Sequence, residues 1–394
     1  MAIKKAAIYD PYLDTLGGGE RYCLTVAEIL LKNGYKVDIF WSGDKTLIEK
    51  AEKRFSLDLK DLNIVPDIFG IKPQNLNLLE AHDDLSKFTN RVADPLRFKV
   101  KLSSISKKIK NNRQYDVIFY LSDGSIPLLF GKKNYLHVQV PFVSHYNLPS
   151  QISRRLKSKL FTNIICNSQF TAKYQDQAVK NKVLVVYPPV DVDKFYASKS
   201  KENIILSVGR FDNILNAKKQ DVLVDAFRQL SKKSPLGNWK LVLAGGSITE
   251  PEKNSFIQHL QKQAKNLPIE FMINPPFNIL QELYSVSKIY WHAAGFEVDE
   301  TIHPENTEHF GITVVEAMAS GLVPVVVEQG GIPEIVDNGV SGFLWKTIDE
   351  LVVKTQKLID DPEILKLMSQ QSLINCQQFS KANFEKKLMG IIGK

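Results

Sequence analysis

The chain has 394 residues, a formal net charge of +8, 44% hydrophobic and 24% charged residues. That length exceeds one compact core and suits two domains of ordinary size, and the composition excludes a disordered chain. No apolar run approaches the roughly 18–20 residues of a membrane-spanning helix.

In chain order, "KKAAIYD" reads as the first strand, because the apolar N-terminal stretch is too short for a signal peptide. "GGERYCLTVAEILLKNG" reads as a helix with Tyr22, Val26, Ile29 and Leu30 on one face and Gly34 near its C-terminus. "YKVDIFW", "YDVIFYLS", "KNYLHVQVP", "TNIICNS" and "KVLVVYPPV" are the next strands, separated by helical stretches. After residue 200 the rhythm restarts with "NIILSVG", "WKLVLAGG", "IEFMI", "KIYWHAA" and "LVPVVVE". Near-continuous apolar strands alternating with helices imply parallel sheets buried on both faces. Two such runs predict an α/β chain of two doubly wound, Rossmann-like domains facing across a cleft. The paired prolines and polar tail of "YPPVDVDKFYASKSKEN" (187–203) suggest a linker, giving domains at 1–190 and 200–375 and a C-terminal helix in 376–394 that returns to the first domain.

Charge is shared unevenly. Residues 1–200 hold 31 Lys and Arg against 20 Asp and Glu, whereas residues 201–394 hold 20 against 23. The surplus is densest at 97–114 and 153–160. A solvated helix face is the plain reading of each run, and a docking surface for an anionic membrane is the sharper one. No nucleic-acid motif accompanies the charge, so no nucleic-acid partner is expected. Cys23, Cys166 and Cys376 are odd in number and far apart, which suits buried thiols in a reducing compartment, the cytoplasm.

Ligands of open α/β sheets bind beyond the carboxyl ends of the strands, so the loops there are where chemistry is sought. "GGGE" (17–20) would let backbone N–H groups approach an anion, although Tyr22 stands where a dinucleotide fingerprint needs its third glycine. A glycine-rich turn is the competing explanation. In "SVGRFDNILNAKK" (207–219), Arg210 with Lys218 or Lys219 would face a diphosphate, and surface cations of no special purpose are the alternative. The Asp-x-Asp at 191–193 sits in the linker, a poor place for a metal, and no acidic or histidine cluster replaces it. In "EHFGITVVE" (308–316), Thr313 and Glu316 fit a capping box, a structural role that competes with a functional one. Glu308 has no such role, and the N–H groups of 311–314 would point at an anion. His137 ends a strand of the first half, where a core histidine is the commoner outcome. His145, His303 and His309 lack metal-ligand spacing.

These motifs together resemble one family. "GGGER", "NSQFTA", "VVYPPVDVDKF", "LSVGRF" with "KKQDVLVDAF", "LAGG" and "EHFGITVVEAMASGLVPVVVEQGGIPEIVDNGVSGFL" are similar to the retaining glycosyltransferases of the GT-B fold, in their large fourth family. The resemblance spans nearly the full length. It implies transfer of a sugar from a GDP- or UDP-linked nucleotide-sugar, with retained anomeric configuration and no metal or other cofactor. By that match Arg210 and Lys218, or Lys219, hold the donor diphosphate, Glu308 the sugar hydroxyls and Glu316 the ribose. Phe310, Gly311, Ile312 and Thr313 line the donor, Gly18 and Gly19 line its phosphates and the acceptor entrance, and His137 lies near the reacting sugar. The "EHFGI" form resembles mannosyltransferases that build lipid-linked oligosaccharides, which implies GDP-mannose and a lipid-linked or glycan acceptor at a cytoplasmic membrane face. Two features depart from the family: the acidic segment "FEVDETIHPENT" (296–307) is long, and the Arg210 to Lys218 spacing is wide. A GT-B phosphorylase, a sugar-nucleotide epimerase and a silent nucleotide-sugar-binding protein are the rival readings.

Overall fold

A computed structural model describes residues 3–67, 109–122, 124, 126–141, 143, 148–177, 179–211, 217–233, 236–247 and 249–393. Residues 97–108 of the first basic run and His145 therefore lie outside the described residues.

Seven described strands form a first, wholly parallel sheet: β1 (Lys5–Tyr9), β2 (Lys36–Phe40), β3 (Asn63–Val65), β4 (Val117–Leu121), β5 (Lys133–Val138), β6 (Asn163–Cys166) and β7 (Val183–Val185). Their order is β3-β2-β1-β4-β5-β6-β7, so the winding reverses between β1 and β4. A second parallel sheet holds β8 (Ile204–Val208), β9 (Lys240–Gly245), β10 (Ile269–Ile273), β11 (Ile289–His292), β12 (Val323–Val327) and β13 (Phe343–Trp345). Its order, β10-β9-β8-β11-β12-β13, is that of a Rossmann sheet and reverses between β8 and β11. The central strands β4, β8 and β12 are buried along their whole length, as parallel strands covered by helices on both faces must be.

The first helix, Gly18–Lys32, illustrates how local sequence sets these elements. Tyr22, Val26, Ile29 and Leu30 recur at helical spacing and are fully buried. Each such side chain is worth up to about 1.5–3 kcal/mol of transfer from water. Gly34, at φ +79°, ends the run in a conformation that glycine tolerates best. The three-residue strands β3 and β13 escaped the sequence pattern, whereas β7, equally short, stood out because "KVLVVYPPV" extends it with further apolar residues.

The chain divides into two compact units, residues 1–187 with 385–394, and residues 188–384. This corrects the linker. From Pro188 onward the segment packs into the second unit, where Val190, Val192 and Phe195 are buried and Val190 N–H donates to Phe379 O at 3.0 Å. Residues 376–384 also belong to the second unit, and the last helix, Lys381–Ile392, enters the first at Glu385. There Lys133 Nζ donates to Ile392 O at 2.9 Å. Cys23, Cys166 and Cys376 are free, buried thiols. Among the described residues no helix is long and apolar enough to cross a membrane.

Candidate active site

In the second unit, the reversal between β8 and β11 concentrates the candidate chemistry. Gly209 follows β8, and a side chain there would meet Lys218 Cγ at 2.7 Å. Its bareness lets the Lys218 stem lie across the strand end. Lys218 Nζ reaches Glu308 Oε2 at 2.5 Å, with the two side chains 21% and 16% exposed. His292, the last residue of β11, meets the same oxygen through Nε2 at 3.2 Å. Burial alone would raise the Glu308 carboxyl, but the Lys218 charge and the His292 hydrogen bond outweigh it and hold the group well below the usual carboxylate range. Burial lowers His292, against the opposing pull of Glu308. A neutral His292 that donates from Nε2 has a bare Nδ1, and that atom is buried without a partner among the described residues. Lys218, Glu308 and His292 thus form a charged cluster at the place where an open α/β sheet binds ligands.

His292 was missed in the sequence. The available signal was its position, the terminal residue of the strand beside the reversal, which "KIYWHAA" displays. The structure also separates the two lysines. Lys218 joins Glu308, whereas Lys219 has a left-handed backbone (φ +53°) just before the helix Gln220–Lys233. Arg210 follows β8 on the exposed side, its carbonyl receiving Gln220 Nε2 at 2.9 Å.

The capping-box reading of Thr313 and Glu316 is overturned. The helix Ile312–Ala319 starts two residues earlier than that box requires, with Gly311 as its N-cap at φ +112°, so Thr313 lies inside the first turn. A Cβ on Gly311 would approach Ile332 Cδ1 to 2.7 Å, and no side chain caps this helix. Glu316 is instead held by the buried Tyr284, whose hydroxyl donates to Oε2 at 3.3 Å. Phe310 is buried edge-on against Phe379, with centroids 5.4 Å apart. Its ring is core, which leaves only its backbone to a ligand. Ile312 and Thr313 are half-buried on the first turn.

In the first unit, Gly18 and Gly19 open the helix Gly18–Lys32. The Glu20 carboxylate folds back to accept from Gly17 N–H at 2.5 Å and Thr15 Oγ1 at 2.7 Å, which fixes the entry turn. His137 is wholly buried and stacked on Tyr22 with centroids 3.8 Å apart. Its Nδ1 lies 2.9 Å from Ile165 O and its Nε2 2.8 Å from Gln139 Nε2. Burial pushes its pKa down to about 3, against the backbone hydrogen bond to Ile165. Such an imidazole is neutral, buried and bonded at both nitrogens, the arrangement of a core histidine rather than of an open reacting group.

The acidic segment 296–307 packs against the loop beside Glu308. Glu300 Oε2 accepts from Gly330 N–H at 3.1 Å, Gln329 Nε2 donates to Val298 O at 3.2 Å, and His309 Nε2 donates to Glu305 O at 3.1 Å. Gly331 N–H in turn donates to Glu308 O at 2.8 Å. His303 is exposed and paired with Glu305 at 3.1 Å. In the 191–193 motif, Asp191 pairs with Lys194 at 3.1 Å. A separate cavity of about 650 Å³ in this unit, lined by Phe296, Glu297, Glu328, Lys346 and Asp349 among others, holds none of the cluster residues.

Comparison with known proteins agrees with this architecture. The family described as glycosyl transferases group 1 matches residues 191–373, and Glycosyltransferase Family 4 matches residues 16–194. The GDP-Man:Man(3)GlcNAc(2)-PP-Dol alpha-1,2-mannosyltransferase of Caenorhabditis elegans is 30% identical over 91% of this chain and 84% of its own. An uncharacterized glycosyltransferase of Haemophilus influenzae is 25% identical over 99% of this chain and 100% of its own. The Dictyostelium discoideum mannosyltransferase of the same name as the C. elegans protein is 28% identical over 63% of this chain, and the match spans only 50% of that relative's length. Among solved structures, Anabaena HepE in complex with UDP and glucose superposes with a TM-score of 0.64 at 18% identity, covering 99% of both chains. A glycosyltransferase from Rickettsia africae superposes with a TM-score of 0.69 at 17% identity, covering 100% of this chain and 98% of that one. On fold and sequence together, the chain belongs to the group 1 glycosyltransferases of the GT-B fold.

Proposed function

We propose that the protein transfers mannose from a nucleotide-sugar, GDP-mannose, to a hydroxyl of a lipid-linked glycan, with retained anomeric configuration and no metal. The observation that carries this reading is the Lys218–Glu308–His292 cluster at the reversal of the second sheet. The mannosyltransferase names of several relatives support the sugar and the lipid-linked acceptor.

In the reaction, the bond from the anomeric carbon to the diphosphate oxygen breaks. The acceptor oxygen bonds to that carbon on the same face, and the acceptor proton passes to the departing diphosphate. Arg210 and Lys218 stabilise the charge that develops on the diphosphate, as preorganised cations do. An ionised Glu308 accepts from sugar hydroxyls and exchanges its bond to Lys218 for them once the phosphates draw the lysine away. Glu316, steadied by Tyr284, accepts from the ribose hydroxyls. In the first unit, Gly18 and Gly19 leave backbone N–H groups and space at the helix start for the acceptor.

The acceptor would lie at an anionic membrane surface. In the helix Leu148–Ser158, Ile152 and Leu156 are exposed one turn apart beside the exposed Arg155, and Lys159 follows the helix, a pattern suited to a lipid interface.

A screen of GDP- and UDP-sugars for thermal stabilisation, followed by product analysis with excess chelator, tests the reading. Stabilisation by GDP-mannose and chelator-resistant transfer are expected. Activity that vanishes with EDTA and returns with magnesium would contradict it, as would phosphorolysis, epimerisation or binding without turnover.

A further inference from the structure

At the carboxyl end of β5, His137 is buried and Gln139, two residues on, is half-buried, and a hydrogen-bond chain joins them. Ile165 O can only accept, so the His137 Nδ1 that faces it carries the proton. A neutral ring then has a bare Nε2, and the group facing it must donate, which fixes the Gln139 amide with its nitrogen toward the histidine. The other end of the amide is therefore the carbonyl oxygen. It lies over the start of the helix Gly18–Lys32, so close that a side chain on Gly19 would meet Oε1 at 2.7 Å. Gln139 is half-buried, and no donor of the described residues bonds that oxygen. The Gln139 backbone is itself anchored, its carbonyl accepting from Asn167 Nδ2 at 3.1 Å.

The geometry points to Gln139 as the sugar-recognising residue of the first unit: its Oε1 accepts from a sugar hydroxyl beside Gly19, and His137 acts beneath it as a positioning residue that fixes the amide. The inference rests on the sugar-transfer reading above and deepens it. An amide oxygen held in this way selects for a hydroxyl and against a deoxy or alkylated position, because either would leave the oxygen covered and unpaired. The hydroxyl can belong to the donor sugar or to the acceptor, and the two are separable by experiment.

The test uses the full-length enzyme and two variants, Gln139→Ala and Gln139→Met. The methionine keeps the cover over His137 and removes the oxygen. Turnover is read in two ways: hydrolysis of the preferred nucleotide-sugar without acceptor, and transfer with acceptor. A fall of about 10-fold or more in both rates for both variants, with the dissociation constant of the nucleoside diphosphate unchanged, assigns the hydroxyl to the donor sugar. A fall in transfer alone assigns it to the acceptor. Unchanged or faster turnover in both variants overturns the inference, as does loss in Gln139→Ala with full activity in Gln139→Met, since cover alone would then suffice. Nitrogen-15 NMR of the histidines supplies a readout apart from catalysis. His137 should show the Nδ1–H tautomer at pH 7, and an Nε2–H tautomer would refute the amide orientation. A wild-type enzyme inert toward every nucleotide-sugar would instead sink the parent reading and the inference with it, an outcome distinct from active wild type with indifferent variants.

Discussion

Acid should destabilise the first unit through His137, and the size of the effect follows from its burial. An ordinary histidine titrates near 6.5, whereas His137 is held to about 3. The unfolded chain therefore binds a proton that the folded chain refuses, and stability falls as pH drops below about 6.5, levelling off only near 3. At pH 5 the penalty is about 2 kcal/mol, and at pH 7 only a few tenths. His137→Phe removes the titration while keeping a ring to stack on Tyr22 and Phe119. It forfeits the bonds to Ile165 O and Gln139, at roughly 1–3 kcal/mol at any pH. The informative quantity is thus a double difference: urea unfolding of wild type and variant, each at pH 7 and pH 5. Contributions from other titrating groups are common to both proteins and cancel. Wild type should lose about 2 kcal/mol more than the variant between the two pH values. Equal losses would show that His137 titrates normally and is open to solvent, which would reinstate it as a group within reach of substrate.

Four further outcomes are expected. Glu308→Gln should lower turnover by about 10²-fold with little change in nucleotide affinity, measured by steady-state kinetics and calorimetry, because a misheld sugar costs rate rather than nucleotide binding. Glu316→Gln should do the reverse and weaken nucleotide-sugar binding by about 10-fold, through loss of a charge-assisted bond to the ribose. Lys218→Met should lower turnover by about 10²-fold or more while Lys219→Met stays near wild type, since only Lys218 joins Glu308. Binding to anionic vesicles should weaken with salt and fall in Arg155→Glu, each surface cation near such a membrane being worth about 1 kcal/mol. Equal binding to neutral vesicles would contradict the docking surface.

Most of the fold could be read from the chain because parallel strands buried on both faces advertise themselves, as "VIFYL", "IILSV" and "VPVVV" do. The edge strand β3 was not legible, because its three residues in "DLNIVPD" lack the apolar extension that made the equally short β7 stand out. The site was harder, because its contacts are long-range. Lys218 and Glu308 stand ninety residues apart, and nothing local to either says that they pair. His292 looked like the end of one more apolar strand. Gln139 was hidden behind His137, whose position at a strand end suggested chemistry while its surroundings made it core. Thr313 and Glu316 had the spacing of a capping box, but a glycine with positive φ had already taken the cap.

The stereochemistry of the product separates a retaining transfer from an inverting one. The enzyme would be given the nucleotide-sugar that stabilises it most, with a glycan acceptor, and the anomeric proton of the new linkage read by NMR. From an α-linked donor such as GDP-mannose, transfer with an α-linked product is predicted. A β-linked product, or no transfer from any GDP- or UDP-sugar, would contradict the account.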